Sequence, residues 1–161
     1  MIRVLTNDGL QKGAINKLTS LRFEVVNNHY DKDELGTALK EFDILVIRSA
    51  TKVTADILDK AQGGKLKLII RAGVGIDNID VPYATQKGVV VKNTPNASSE
   101  SVAELVIGHM FALARFIAIS NCTMRDGQWN KKKYEGIELG GKTLGIVGMG
   151  RIGKALAKKA E

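Results

Sequence analysis

The sequence predicts an α/β protein in which a parallel sheet, covered by helices on both faces, is followed by the start of a second α/β unit. Three observations predict it. Short apolar runs alternate with helical patterns, a polar segment interrupts this alternation near residue 95, and a glycine-rich turn lies near residue 150. Strands that are buried on both faces form nearly continuous apolar runs, which is typical of parallel sheets.

Five short apolar segments predict the strands of the first sheet. Between them, apolar residues recur at helical spacing, as Leu35, Leu39 and Phe42 do in the second predicted helix. Thr54 is a candidate N-cap for the third helix, and Gly88 is a candidate C-cap for the fourth. The predicted strands are residues 2–6, 23–26, 43–47, 66–70 and 89–91, and the predicted helices are residues 11–21, 31–42, 54–61 and 81–86.

A polar, turn-rich segment at residues 93–97 predicts a domain boundary. Up to that point strands and helices alternate regularly, whereas the residues that follow form one long apolar pattern. We therefore expect a first domain at residues 1–95 and a second at residues 96–161.

The long apolar pattern after this boundary predicts a single helix that ends near Asn121. Ser101 and Glu104 have the spacing of a capping box, although Ser98 or Ser99 is an alternative helix start. The helix is apolar almost all round, which indicates burial between layers or between subunits.

Composition and charge argue against several classes of function. The net charge is +7, but the positive residues are scattered and no recognition motif accompanies the one dense run, 131–133. The most apolar stretch, 105–114, is too short to span a bilayer. The single cysteine, Cys122, has no disulfide partner and is expected to be buried or at an interface. The first residues lack the pattern of a secretory signal, so no leader is expected. We therefore expect a cytoplasmic protein that binds neither nucleic acid nor membranes.

The glycine turn at residues 148–153 carries the strongest chemical signal. It has the pattern G-x-G-x-x-G, and it follows a predicted strand at residues 143–147 and opens a predicted helix. Gly148 allows a tight turn, Gly150 lets the backbone approach a pyrophosphate, and Gly153 lets the helix pack closely on the strand. The helix N-terminus then offers free N–H groups to phosphates. The turn predicts a dinucleotide cofactor such as NAD. NADP is not excluded, because the acidic residue that selects between them is expected roughly 20 residues further along.

Several segments resemble a known family, the D-isomer-specific 2-hydroxyacid dehydrogenases. The resemblance follows the family's order along nearly the whole chain. It implies a flavodoxin-like, parallel-sheet substrate-binding domain that lacks its C-terminal return segment, followed by the truncated start of a Rossmann NAD-binding domain. The matching segments are RSATKVT at 48–54, RAGVGIDNID at 71–80, NTP at 93–95, SVAE at 101–104, DGQW at 126–129 and GKTLG at 141–145.

The resemblance also implies roles for individual residues. Val74 and Gly75 correspond to a loop whose backbone N–H groups face the substrate carboxylate near the nicotinamide, so Val74 is expected to contact the cofactor as well. The substrate-side positions are Arg48, Ser49 and Arg71, and the pyrophosphate-binding positions are Gly148, Gly150, Arg151, Ile152 and Gly153.

Reasoning from the residues themselves agrees for the two arginines. Arg48 and Arg71 each follow an apolar strand, which places them at the carboxyl edge of the sheet, where open α/β sheets bind ligands. Arginine offers a bidentate fork to a phosphate or a carboxylate. A surface salt bridge is the alternative role for each.

The activity that the resemblance implies is an NAD-dependent oxidation of the 2-hydroxyl group of a small anionic D-2-hydroxy acid. The expected substrate is 3-phosphoglycerate, which is converted to 3-phosphohydroxypyruvate in serine biosynthesis. Reduction of glyoxylate or hydroxypyruvate and oxidation of D-lactate are the alternatives within the family. A non-catalytic module that dimerises or binds partners is the alternative from a different class.

The family's catalytic arginine, glutamate and histidine are expected beyond residue 161, so no catalytic residue and no metal site is expected in this chain, and the chain alone is expected to be inactive. His29 and His109 fall at positions without such a role and are interpreted as structural. The resemblance further implies a homodimer, formed through the helix near 99–121 and through the connector around Trp129, residues 126–141, which we call the arm.

Overall fold

The computed structural model describes all 161 residues, which fall into two compact units, Met1–Ala97 and Ser98–Glu161. The first unit contains a five-stranded sheet with its connecting helices, and the second contains three helices and the glycine turn.

The sheet of the first unit is parallel throughout, with the strand order β2-β1-β3-β4-β5. This is the flavodoxin-like order, and it confirms the predicted fold class. The strands are β1 (Arg3–Thr6), β2 (Glu24–Val26), β3 (Ile44–Ile47), β4 (Leu68–Arg71) and β5 (Val90–Asn93). The helices are α1 (Lys12–Ser20), α2 (Lys32–Ala38), α3 (Ala55–Ala61) and α4 (Val81–Gln86), and a 3₁₀ turn at Leu39–Glu41 follows α2.

The core of this unit lies between the central strands and helices α2 and α3. Leu35, Leu39 and Phe42 are buried, as the helical spacing predicted. Helix α1 differs, because none of its residues is buried, and Leu21, the last residue of the predicted helix at 11–21, is 61% exposed. The core is therefore built mainly on the α2–α3 side of the sheet. Its fully buried members include Leu5, Leu45, Ile47, Ile57 and Ile69.

Of the three predicted helix caps, the structure corrects two and confirms one. Thr54 precedes α3, but its side chain makes no capping hydrogen bond and its buried hydroxyl has no partner. Ser101 lies inside the first helix of the second unit, so the capping box is wrong; the alternative start is confirmed, because that helix begins at Ser99 with Ser98 as its N-cap residue. Gly88 is confirmed as the residue that ends α4, with φ of 75°, and the N–H of Val89 donates back to the carbonyl of Ala84 at 2.9 Å.

The second unit contains α5 (Ser99–Ala114), α6 (Ile117–Arg125) and α7 (Arg151–Ala160). The prediction of one continuous helix to Asn121 is wrong, because the chain turns at Phe116, which has a φ of 55°. The N–H of Ile137 in the arm donates to the carbonyl of Ala114 at 3.0 Å and so satisfies an acceptor at the end of α5.

No single helix of the chain is long and apolar enough to cross a bilayer. Helices α5 and α6 would be long and apolar enough only if they were counted together as one span, and they are bent by 61° at their junction.

Residues 143–147 do not form the predicted strand, because they pair with no neighbouring strand, and a strand needs a hydrogen-bonded partner. The segment instead contributes Ile146 to a small core beneath α5 and α7, whose buried members are Ala103, Ala155 and Leu156. Cys122 was expected to be buried or at an interface, and in this chain it is exposed.

The contact between α2 and α3 yields a test of the fold. A β-carbon on Gly36 would lie 2.6 Å from Cβ of Lys60 and 2.8 Å from the carbonyl oxygen of Ile57. Alanine normally stabilises a helix relative to glycine by up to about 1 kcal/mol, but overpacking costs about 1–3 kcal/mol. We expect Gly36→Ala to lower the free energy of unfolding, measured by urea titration.

Gly13 in α1 is the matched control, since a β-carbon there meets no atom within 4 Å. Gly13→Ala should leave the free energy of unfolding unchanged or raise it by up to about 1 kcal/mol. Equal gains in the two variants would show that α2 and α3 are not in close contact.

Candidate functional site

The two predicted substrate arginines lie on neighbouring strands at the carboxyl edge of the sheet. Ile47 and Arg71 are register partners between β3 and β4, and Arg48 is the next residue after β3. Arg71 is itself the last residue of β4, so it does not follow the strand as predicted. Ser49 is exposed beside Arg48. Because the strands are parallel, the loops after β1, β3 and β4 all meet at this edge.

The guanidinium of Arg48 is free. The side chain is exposed and takes part in none of the ion pairs of the chain. Its backbone, by contrast, is held, because its N–H donates to the carboxylate of Asp8 at 2.6 Å. A fixed backbone with an unpaired guanidinium is an arrangement suited to an anionic ligand.

The side chain of Arg71 is more enclosed. Its Nε is buried and has no hydrogen-bond partner, and its guanidinium lies so close over Gly73 that any β-carbon there would overlap it. A buried donor without an acceptor costs free energy, and an anion at this edge would supply the missing acceptor.

The loop that follows Arg71 is held through its carbonyl groups. The side-chain amide of Asn93 donates to the carbonyl of Val74 at 2.6 Å, and the N–H of Thr94 donates to the carbonyl of Gly73 at 2.9 Å. The N–H groups of Val74 and Gly75 donate to no acceptor in the chain, and both residues are exposed. The loop therefore presents two free backbone donors, as an anion-binding loop requires.

Sequence reasoning missed three residues of this site, Asp8, Asn78 and Asn93. Asn93 was noticed only as part of a matching segment, although the end of a strand beside the loop was a positional clue. Asp8 was not considered, although it follows β1 and so had to lie at the same edge. Its contacts join residues 40 or more positions apart, and no local pattern signals such contacts.

Asp8 is an ionised hydrogen-bond acceptor. Its carboxylate accepts from the hydroxyl of Thr51 and from the N–H groups of Arg48 and Thr51. Burial by itself would raise the pKa of Asp8, but these hydrogen bonds and the nearby His29 outweigh it and lower the pKa below its usual value.

The two histidines lie in different surroundings. Nδ1 of His29 lies 3.0 Å from the carbonyl oxygen of Asn7, and its Nε2 lies 3.5 Å from Asp31. His109 is exposed on α5 and contacts no carboxylate. No group of three or more histidine, cysteine or acidic side chains is arranged to hold a metal ion.

The glycine turn of the second unit has the geometry that a pyrophosphate needs. Gly148 has a φ of 99°, and a β-carbon on Gly153 would overlap the carbonyl oxygen of Gly148. Gly150 has an ordinary φ of −76°, and a β-carbon there would meet no protein atom within 4 Å. Nothing inside the chain therefore requires glycine at position 150, whereas close approach of a phosphate group does.

Helix α7 begins directly after this turn, at Arg151. The first N–H groups of a helix, here those of Arg151, Ile152 and Gly153, have no acceptor within the helix. No acidic residue occupies the first turn, so nothing neutralises the positive end of the helix dipole. The residues present fit a dinucleotide phosphate.

The fold and the site together define an α/β protein with an anion-binding edge on its parallel sheet and a glycine turn shaped for a dinucleotide phosphate. The family profile "D-isomer specific 2-hydroxyacid dehydrogenase, catalytic domain" matches residues 4–154. The chain belongs to this family, whose members are oxidoreductases, and the resemblance inferred from the sequence is confirmed.

Individual relatives show the range of activities nearby. The chain is 48% identical over 161 residues to the D-3-phosphoglycerate dehydrogenase of Methanocaldococcus jannaschii, covering 100% of this chain and 30% of that protein. It is 52% identical over 159 residues to the hydroxypyruvate reductase of Thermotoga maritima, covering 98% of this chain and 51% of that protein. The chain thus spans only 30% and 51% of the lengths of these two relatives.

A solved structure gives a third comparison. The NADPH-dependent glyoxylate/hydroxypyruvate reductase of Sinorhizobium meliloti, in complex with NADP and malonate, superimposes with a TM-score of 0.75 at 26% identity. The match covers 98% of this chain and 49% of that one.

The low pKa of Asp8 predicts a pH-dependent contribution to stability. Its folded-state pKa lies below the unfolded value of about 3.9, so the contribution is present above that pH and is lost as the pH falls through the folded-state pKa. Asp8→Asn should lower the free energy of unfolding by about 1–2 kcal/mol at pH 7, because an amide replaces a charged acceptor of hydrogen bonds.

The difference between wild type and Asp8→Asn should shrink as urea titrations are carried from pH 7 towards pH 3. Asp33→Asn is the control, since Asp33 is exposed and its carboxylate has no ion-pair partner. A difference that stays constant across this pH range would show that the charge of Asp8 does not stabilise the fold.

Proposed function

We propose that the full-length protein oxidises the 2-hydroxyl group of 3-phosphoglycerate to 3-phosphohydroxypyruvate, with a nicotinamide dinucleotide as the hydride acceptor. The observation that carries the proposal is the pair of cationic groups at the carboxyl edge: the free guanidinium of Arg48 and the partnerless Nε of Arg71. Two anionic groups on one small substrate, a carboxylate and a phosphate, match two such cations. The 48% identity to an archaeal D-3-phosphoglycerate dehydrogenase supports the same substrate.

The free donors divide between the two ends of this substrate. The N–H groups of Val74 and Gly75, together with Arg71, receive the carboxylate, because backbone donors and an enclosed arginine define a fixed site next to the reacting carbon. Arg48, with the hydroxyl of Ser49 beside it, receives the phosphate, because an exposed arginine tolerates a large hydrated anion. We assign no proton acceptor among residues 1–161.

The glycine turn binds the cofactor in this proposal. Gly148, Gly150 and Gly153 shape the turn, and the first N–H groups of α7, at Arg151 and Ile152, hold the pyrophosphate. A nicotinamide dinucleotide held there would supply the acceptor for the hydride from the 2-carbon of the substrate. Val74 of the anion loop is 44% exposed, so its side chain is accessible to a ligand. We propose NAD, with NADP as the alternative that the S. meliloti reductase favours.

A second candidate activity is the reduction of hydroxypyruvate. It is favoured by the 52% identity to the T. maritima hydroxypyruvate reductase. The two substrates differ in the phosphate group, so Arg48 is the residue that distinguishes them. A non-catalytic binding module remains the alternative of a different class, and absence of hydride transfer by the full-length protein with either substrate would favour it.

We further propose a homodimer formed through α5, α6 and the arm. Large apolar side chains on these segments are exposed, with Leu113 at 78% and Trp129 at 75% exposure, and Leu105, Phe111 and Ile117 at 49–60%. Apolar surface of this extent is typical of a protein interface. Sedimentation of the full-length protein at micromolar concentration tests the proposal, and a monomer would contradict it.

Gly150 yields the test of the cofactor site. Because a β-carbon on this residue meets no protein atom, Gly150→Ala should leave the melting temperature unchanged, while it weakens NAD binding by about tenfold or more through collision with the pyrophosphate. Fluorescence titration of the full-length protein with NADH and NADPH measures the affinities. Gly140→Ala is the control, because a β-carbon there also meets no protein atom and lies outside the turn. Unchanged NADH affinity in Gly150→Ala would place the dinucleotide elsewhere.

Arg48 yields the test of the substrate. Charge-assisted hydrogen bonds to a phosphate contribute roughly 1.5–3 kcal/mol each, a factor of about 10–150 in binding. Contacts that are equally strong in the ground and transition states change KM and leave kcat unaltered. In the full-length enzyme, Arg48→Ala should therefore raise the KM for 3-phosphoglycerate by this factor, leave kcat nearly constant and change the kinetics of D-glycerate much less.

Arg22→Ala is the matched control, since Arg22 is an exposed arginine just before β2, at the opposite edge of the sheet. If Arg48→Ala weakened both substrates equally, or neither, Arg48 would not bind a phosphate. The proposal would then reduce to the oxidation of an unspecified D-2-hydroxy acid.

A further inference from the structure

The segment Arg48–Thr51 is held at both ends by two side chains from other loops. The carboxylate of Asp8 accepts from the N–H of Arg48 at 2.6 Å and from the N–H of Thr51 at 3.2 Å. The side-chain amide of Asn78 donates to the carbonyl of Arg48 at 2.9 Å and to the carbonyl of Thr51 at 2.7 Å. All four backbone polar groups at the two ends of the segment are therefore bonded to Asp8 or Asn78.

These two side chains are themselves anchored to the sheet edge. Asn7, which precedes Asp8, is buried at 3% exposure and donates its N–H to the carbonyl of Val46 in β3 at 3.1 Å. Its side-chain amide donates to the hydroxyl of Thr51 at 2.9 Å. The carbonyl of Asn78 accepts from the N–H of Val53 at 2.8 Å. The contacts thus tie the segment to the loop after β1 and to the loop before α4.

The backbone and the side chain of Arg48 differ in their contacts, and this difference indicates what the contacts do. Its N–H and its carbonyl are both bonded, whereas its guanidinium has no protein partner. Ser49 and Ala50, between the two held ends, are exposed. A guanidinium that no neighbour holds can reach a ligand reproducibly only if its backbone is fixed, because the loss of conformational freedom otherwise opposes binding.

We propose that Asp8 and Asn78 are positioning residues that hold Arg48 at the place where it receives the substrate phosphate. The inference rests on the proposed function, because it requires Arg48 to bind substrate. Neither positioning residue needs to touch the substrate, and each acts through the backbone of Arg48. Their chemistry is complementary, since an ionised carboxylate can only accept and the amide nitrogen of Asn78 only donates.

Asn78→Asp in the full-length enzyme tests the proposal. A carboxylate cannot donate to the carbonyls of Arg48 and Thr51, so the segment should lose both of these hydrogen bonds with almost no change in side-chain size. The KM for 3-phosphoglycerate should rise, up to the factor of about 10–150 expected for Arg48→Ala, while kcat and the kinetics of D-glycerate change by less than about twofold.

The decisive comparison is the double variant Arg48→Ala/Asn78→Asp. If Asn78 acts through Arg48, its substitution has no further effect once the guanidinium is gone, so the double variant should have the KM of Arg48→Ala alone. If Asn78 instead has only a general structural role, the factors by which the two substitutions raise the KM should multiply in the double variant. Asn28→Asp is the control, since Asn28 is exposed and its side chain forms no hydrogen bond in the chain.

Hydrogen exchange provides a readout that does not depend on activity. Asp8→Asn removes the charged acceptor of two N–H groups, so the amides of Arg48 and Thr51 should exchange at least about tenfold faster, and by a larger factor than the amides of β3, which respond only to the loss of global stability. This measurement tests the positioning role even if Asn78→Asp fails to fold.

Failure of the proposed function and failure of the positioning role would give different results. If Arg48→Ala itself leaves the KM for 3-phosphoglycerate unchanged, the proposed function is wrong, and with it the positioning role. If Arg48→Ala behaves as expected but the effects of Asn78→Asp multiply with it, or fall on kcat and on D-glycerate equally, the positioning proposal is overturned. Unchanged exchange of the Arg48 and Thr51 amides in Asp8→Asn overturns it as well.

Discussion

The parallel hydrogen-bond register of the central strands is the constraint on which the rest of the first unit depends. Pairing of β1 with β3 and of β3 with β4 places Thr6 beside Val46, and Ile47 beside Arg71. Because the strands run in one direction, Asp8, Arg48 and Val74 all follow strand ends at one edge, although they are far apart in sequence. A slip of one residue would turn the buried side chains of these strands to the opposite face of the sheet and separate these groups.

The carboxyl edge divides its polar groups into those that hold loops and those that remain free. Asp8, Asn78 and Asn93 bond to the backbone of the two loops, although Oδ1 of Asn78 is buried without a partner. The guanidinium of Arg48 and the N–H groups of Val74 and Gly75 remain without protein partners. This division pre-organises the edge for an anion, because these three exposed groups are donors and the loops that carry them are already ordered before a ligand arrives.

In the second unit, α5 and α7 support the glycine turn. A small core of Ala103, Ala155 and Leu156 joins the two helices, and Lys159 bridges Glu100 and Glu104 at 3.0 and 3.1 Å. The hydrogen bonds that Lys159 donates to these two carboxylates raise its pKa, and the exposure of the group limits what the pairs contribute to stability. The helix N-terminus is therefore placed by close packing of small side chains, while the apolar faces of α5 and α6 that the proposed dimer would cover stay exposed.

The sequence by itself determined the features that depend on local patterns. Apolar runs predicted all five strands of the sheet, helical spacing predicted the burial of Leu35, Leu39 and Phe42, and the glycine spacing predicted the turn before α7, because each of these depends on residues that lie close together in the chain. Only the tertiary structure showed that α5 ends before Phe116, that residues 143–147 pair with no strand, and that Asp8, Asn78 and Asn93 hold the anion-binding loops. These features depend on hydrogen bonds between residues 19 to 40 positions apart. Such partners are brought together by the register of the sheet and by packing, and no local pattern records them.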